Sequence, residues 1–223
     1  MAHPANNERA SASRRRNPQA TRDRLVRAAL ELFTTQGYHA STTPQIAAKA
    51  GVAEGTIYRH FESKEHLLNE LFRAAVRLLL SFVHEAPTSA SCSARLRGIA
   101  EAWEKLAASD PALIKLVFLS RHGRLLDQRS NATMADLRSK LGGIIAEGKA
   151  SGEIRAGPVE IWTDVWFQLV SLALERIAMG QWTVHHAGSS QVLDAAWDAI
   201  RVARATGLSV PDASGSGDAN HIG

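Results

Sequence analysis

What most constrains this chain is the spacing of its apolar residues, which recur every three or four positions and never settle into two-residue alternation over a strand's length. Leu25, Ala28, Ala29, Leu32 and Phe33 follow that period, with Thr21 placed to cap the helix start and Gly37 to stop it. Thr42, Thr43, Pro44 and Gln45 then spell a capping box, with Thr42 at N-cap and Gln45 three residues on. Pro44 costs nothing in a first turn, where its missing N–H has no helical partner. That helix runs to about Ala50, Gly51 supplies a turn, and a third helix is expected from Ala53 to about His60, turning Ile57 and Phe61 inward. Ser63 caps a fourth, whose stripe is Leu67, Leu68, Leu71, Phe72, Ala75, Val76, Leu79 and Val83. After a linker over 87–93, further helices are expected near 94–108, 111–119, 133–150, 158–181 and 190–205. The expectation is an all-α protein. An N-terminal three-helix helix-turn-helix unit (20–66) is joined by a connecting helix to a C-terminal helical domain (67–206), between a basic arm (1–19) and a tail (207–223) too polar to fold.

Charge is unevenly placed along the 223 residues. Residues 1–66 carry ten Lys/Arg against six Asp/Glu and so hold the whole net charge of +4, while the remainder balances. Such asymmetry is expected when one end faces a polyanion; exposed arginines serving solubility are the competing reading. Arg14, Arg15 and Arg16 read equally as a minor-groove arm or as a solvated tail. Asn17, Pro18 and Gln19 follow them where a twin-arginine signal needs an apolar run. The most apolar stretch, 159–179, contains Glu160, Asp164, Gln168, Glu175 and Arg176, which lipid would reject at roughly 2.5–3.5 kcal/mol per charged residue. The single Cys92 excludes an intrachain disulfide and a thiolate metal site. A cytoplasmic protein is the expectation.

Catalytic motifs fail on inspection. Gly143 to Lys149 copies the glycine and lysine spacing of a phosphate loop, but Ala150 replaces the magnesium-binding hydroxyl, no strand precedes it, and Glu147 opposes phosphate. His185-His186 lacks an acidic or Cys partner at ligand spacing. Asn131-Ala132-Thr133 fits a glycosylation acceptor but follows no secretory signal. No enzyme, no cofactor and no metal are expected.

The segment from Thr42 to Phe61 has the lengths and spacing of a helix-turn-helix. Ile46, Ala47 and Ala50 give one helix a small apolar face, and Val52 and Ile57 close the contact from the other. The outer face is then Ala53, Glu54, Gly55, Thr56, Tyr58, Arg59 and His60. An exposed helical Gly costs about 1 kcal/mol against Ala, which close approach to another molecule would justify. Thr42-Thr43, Ile46-Ala47, Ala50-Gly51-Val52-Ala53, Gly55-Thr56-Ile57-Tyr58-Arg59-His60-Phe61 and Ser63-Lys64-Glu65-His66-Leu67 together resemble the DNA-binding domain of the tetracycline-repressor (TetR) family. The resemblance covers residues 21 to about 75. Beyond it only helix count and the turn Gly152-Glu153-Ile154-Arg155 are similar.

The resemblance implies a double-stranded DNA partner carrying a palindromic operator. Thr42, Thr43, Tyr58, His60 and Lys64 would contact phosphates, while Ala53, Glu54, Gly55 and Thr56 would face base edges and Arg59 could do either. For His60, a plain helix-ending role competes. It also implies a homodimer and a small, apolar or aromatic effector, with Trp103, Leu113, Val117, Phe118, His122, Trp162, Trp166 and Gln168 as candidate lining. Val165, Leu169, Leu172, Ala173 and Ile177, with Leu193, Ala196, Trp197 and Ile200, are the candidate dimer interface, because the 159–177 stretch is apolar almost all round. The competing reading of that stretch is an ordinary core helix. A repressor released by its effector is what the family leads one to expect; a helical protein-interaction module with a structural helix-turn-helix is the alternative.

Overall fold

The computed structural model describes residues 18–119 and 123–203. Among these residues the regular elements are helices, with one isolated bridge between Ile154 and Arg201: α1 at Pro18–Thr35, α2 at Thr43–Lys49, a 3₁₀ helix at Glu54–Arg59, α3 at Lys64–Glu85 and α4 at Cys92–Ser109. Then come α5 at Pro111–Ile114, a π turn at Lys115–Leu119, α6 at Gln128–Ala150, α7 at Val159–Ala178 and α8 at Ala187–Ile200. Arg14–Arg16, His122 and the tail from residue 207 lie outside the described residues.

The capping logic holds where it is most specific. Thr42 accepts from the Gln45 N–H while the Gln45 side chain accepts from the Thr42 N–H, and Ser63 accepts from the His66 N–H. Gly37 and Gly51 follow α1 and α2 with φ of 89° and 65°, the left-handed backbone that glycine adopts without penalty. Other starts differ from expectation. Helix α1 begins at Pro18, so Thr21 lies buried inside it and caps nothing. Ser91 and Asp127 cap α4 and α6 earlier than the apolar period alone places them, because their side chains accept from the Ala94 and Ser130 N–H groups and so set each start. The 53–60 segment winds as 3₁₀ rather than α, as short pieces carrying Gly and Thr do.

Two apolar cores result. The head core gathers Leu25, Ala28, Ala29, Leu32 and Phe33 of α1, Ile46, Ala50, Ile57 and Phe61, and Leu67, Leu68 and Leu71 at the start of α3. From Phe72 onward α3 belongs to the body core, with Leu96, Ile99, Trp103, Leu137, Leu141, Ile145, Trp166, Phe167, Val170 and Leu174. One continuous helix therefore serves both. Leu116, fully buried on the π turn, also sits in the head core, although it is distant in sequence. The 143–149 glycine-lysine segment lies inside α6, with no loop to cradle a phosphate.

Candidate nucleic-acid interface

The head presents one exposed edge built from the start of α2 and the 3₁₀ helix. Ile57, at 2% exposure, anchors the 3₁₀ helix inward, and this turns Glu54, Gly55, Tyr58 and Arg59 out to solvent with Ala53 at its cap. Thr56 is half-buried, its N–H donating to the Ala53 carbonyl at 2.9 Å. Across the turn, the Thr43 and Tyr58 hydroxyls meet at 3.0 Å. Tyr58 is 55% exposed, so burial does not explain an aromatic ring held there. Thr42 stands exposed beside them, although its hydroxyl already accepts the capping bond. These groups form a surface of hydroxyls, one guanidinium and bare backbone, suited to phosphate oxygens and base edges.

His60 ends the 3₁₀ helix, its N–H donating to the Ile57 carbonyl at 3.0 Å, and its half-buried ring lies 6.4 Å from that of Phe61. That geometry favours the helix-ending role.

Lys64 has acceptors within the chain. Its ammonium donates to the Tyr38 carbonyl at 2.9 Å and the Ser41 carbonyl at 2.8 Å, and lies 4.2 Å from the centre of the Tyr38 ring. Burial pushes its pKa below that of an ordinary lysine. Two of its three N–H groups thus pin the α1–α2 loop onto the start of α3, which gives Lys64 a structural part beside the phosphate contact expected of it. Sequence spacing placed it at the right helix end but could not show which acceptors lay nearer. Lys49 serves similarly, pairing with Glu31 at 2.7 Å to hold α2 on α1.

In the body, Trp103, Trp166 and Phe118 come together around Phe167, a residue absent from the expected lining. Ring centroids lie 6.0 Å apart for Trp103–Trp166, 6.1 Å for Trp103–Phe167 and 5.5 Å for Phe118–Phe167. Trp103 is fully buried, its indole N–H donating to the Leu79 carbonyl at 3.1 Å, which makes it core. Val117 is half-buried on the π turn beside Phe118, and Leu113 is half-buried on α5. Trp162 lies apart, under the Arg155 guanidinium, its buried indole nitrogen without a partner among the described residues. Gln168 faces outward on α7. A cleft of about 610 Å³ between α6 and α7, lined by Arg138, Gly142, Gly143, Thr163 and Asp164, uses none of these residues.

The expected dimer residues divide. Ala173, Ile177, Leu193, Ala196 and Ile200 are at most 6% exposed and are consumed by packing within the chain, much of it between α7 and α8. Left outside are Leu172, at 39%, and the half-buried Val165, Leu169 and Trp197. Ile161 at 52% and Met179 at 53% extend the same α7 face. All-round apolarity marked the helix but could not say which side the chain itself would cover.

The family model for bacterial regulatory proteins of the tetR family matches residues 25–71, the head with the first third of α3. The fatty acid metabolism regulator protein of Bacillus subtilis strain 168 is 32% identical over 136 residues, 60% of this chain and 70% of that protein. Among solved structures, a TetR family transcription regulator from Marinobacter aquaeolei VT8 superposes with a TM-score of 0.71 at 20% identity, covering 84% of this chain and 98% of the other. The ketosteroid regulator KstR2 of Mycobacterium tuberculosis gives 0.68 at 21% identity, covering 82% and 95%. With a helix-turn-helix edge left open to solvent and a relative matched over most of its length, this chain belongs to the TetR family and is a DNA-binding transcriptional regulator.

Proposed function

We propose that the chain is a cytoplasmic homodimeric repressor that leaves a palindromic operator when a small apolar or aromatic molecule binds its body. The observation that carries this reading is the Thr43–Tyr58 hydroxyl pair on an uncovered helix-turn-helix edge, which packing within the chain does not require. Thr42, Thr43, Tyr58 and Arg59 are assigned to phosphates, and Ala53, Glu54, Gly55 and Thr56 to base edges. Glu54 accepts from a cytosine amino group and repels sites lacking one.

Dimerisation is supported by the α7 face. Ile161, Val165, Leu172 and Met179 fall on one helical stripe, and a second copy would cover it with the same stripe across a two-fold axis. A dimer also reads two half-sites about 34 Å apart, more than one short helix can specify. Relatives whose names refer to fatty acid metabolism and to ketosteroid support an effector with apolar surface. Release works by differential affinity: a swing from 99% bound to 99% free needs the effector to favour the DNA-incompetent arrangement by about 5.5 kcal/mol.

Footprinting of the purified protein on DNA flanking its own gene, near 0.15 M salt with excess competitor, tests the reading. It requires protection of a palindrome with half-sites about one helical turn apart. Binding that competitor abolishes would favour the interaction-module alternative.

A further inference from the structure

Where α3 passes from one core to the other, it carries a buried charge. Arg73 is 3% exposed, one residue beyond the point at which the helix leaves the head core. Its Nη1 donates to both Asp127 oxygens, at 2.9 and 3.1 Å, and to the Ser130 hydroxyl at 3.1 Å, while Nη2 donates to Glu70 at 2.9 Å. Glu70 in turn takes a hydrogen bond from Arg22 of α1 at 2.6 Å. Asn69, 2% exposed, completes the set: its Oδ1 accepts from the Asp127 N–H at 2.9 Å and the Ser130 hydroxyl at 2.7 Å, and its Nδ2 donates to the Leu125 carbonyl at 2.8 Å. A polar chain thus runs from the head's first helix, through α3, to the capped start of α6.

A buried ion pair contributes little net stability beyond what apolar side chains of the same volume would give, because desolvation offsets its attraction. What it adds is direction. Apolar faces slide over one another at small cost, whereas a guanidinium bonded to a carboxylate on one side and a second on the other fixes one relative placement. We infer that Arg73 is a positioning residue for DNA recognition: by clamping Asp127 and Ser130 it sets the tilt at which the head leaves the body. The leverage is sufficient. Lys64, at the head end of α3, lies nine residues from Arg73, about 14 Å along the helix at 1.5 Å per residue. A tilt of about 10° at Arg73 displaces that end by about 2 Å, more than hydrogen bonds to base edges tolerate. DNA itself cannot reach a side chain this buried.

The inference rests on the DNA-binding reading and is tested on the full chain, with a duplex that the wild-type protein itself selects from a random library. Asp127→Asn removes the charge yet keeps a residue that caps helices well. It also raises the net charge by one, which by electrostatics alone tightens binding to any DNA. Positioning gives the opposite sign: at least tenfold weaker binding to the selected duplex, measured well below the variant's melting temperature, where circular dichroism shows it fully folded. Nitroxides at Gln36→Cys and Ala132→Cys, both exposed, report the head–body separation when labelled chain is diluted into excess unlabelled chain. Cys92 is buried, its thiol pushed up to about 12 by burial and the nearby Glu153 carboxylate, so it stays unlabelled. The separation in Asp127→Asn should broaden or shift, and Ser130→Ala, which retains every charge, should move both readouts the same way. Unchanged or tighter binding in the folded variants, or weaker binding with an unchanged separation, overturns the inference. Failure of the wild-type chain to select any duplex would instead overturn the DNA-binding reading beneath it.

Discussion

Replacing Gly55 by alanine separates the needs of the fold from those of the DNA. An ideal Cβ built on Gly55 has no heavy atom within 4 Å, and its backbone is not among the left-handed glycines of the chain. Nothing within the protein therefore requires glycine here. Alanine lowers the unfolded chain's entropy and suits a helical residue better, a gain of up to about 1 kcal/mol. In a chain of this size that raises the melting temperature by roughly 2–4 °C. The open space that tolerates the methyl within the chain is the space assigned to DNA, and a methyl there holds the 3₁₀ helix off the groove floor. A cost of about 1–3 kcal/mol, comparable to a mismatched base pair, corresponds to roughly 5- to 150-fold in Kd. Calorimetric melting paired with fluorescence anisotropy on the selected duplex gives both numbers from one preparation. Gly55→Ala should melt higher and bind more weakly. Unweakened binding would place Gly55 outside the interface, and a lower melting temperature would show that the fold does need glycine there.

Three further outcomes follow from named contacts. Lys64→Met leaves the Tyr38 and Ser41 carbonyls without their donor and should lower stability by about 1–3 kcal/mol in denaturant titration; unchanged stability would show that the loop does not depend on this clamp. Leu172→Arg puts a charge on the exposed α7 stripe and should give a monomer in sedimentation velocity while each chain's own stability moves by less than about 0.5 kcal/mol, as surface changes do. Burial works to raise the carboxyls of Asp127 and Glu70, but the hydrogen bonds that Asp127 takes from Ser130 and Arg73, and Glu70 from Arg73, outweigh it and hold both below the usual range. Their contribution is therefore complete above about pH 4 and disappears as pH falls through the lowered values, so the melting temperature should drop more steeply for wild type than for Asp127→Asn between pH 5 and pH 3.

How far the sequence could be read depended on the reach of the interactions concerned. Capping boxes and glycine stops act within four residues, so Thr42–Gln45, Ser63 and Gly37 were legible from spacing alone. The exposure of Ala53, Glu54, Gly55, Tyr58 and Arg59 was equally legible, because Ile57 had to point inward, although Thr56 and His60, expected on the same face, are half-buried. The clamp made by Lys64 was not legible, because its acceptors lie in a loop more than twenty residues away and nothing in its own helix signals them. The α7 stripe was only half read: an all-round apolar helix announces burial, but Ala173 and Ile177 are covered by this chain and Leu172 and Met179 are left outside, a division set by where α8 docks. Phe167 was missed among the aromatics for the same reason. The Arg22–Glu70–Arg73–Asp127 chain joins residues on three helices, each of which alone looks like an ordinary solvated charge.

Leu116 has a bearing on how the protein is made. The head's helices leave the ribosome first, yet their core is closed by a side chain that follows the last head residue of α3, Leu71, by some forty-five positions. A nascent chain that has extended through α3 holds a complete reading edge on an unfinished core, and part of α1 stays uncovered until the π turn emerges. Synthesis thus keeps the order of events: the surface that would grip DNA becomes firm only after the segment tied to the rest of the molecule has arrived.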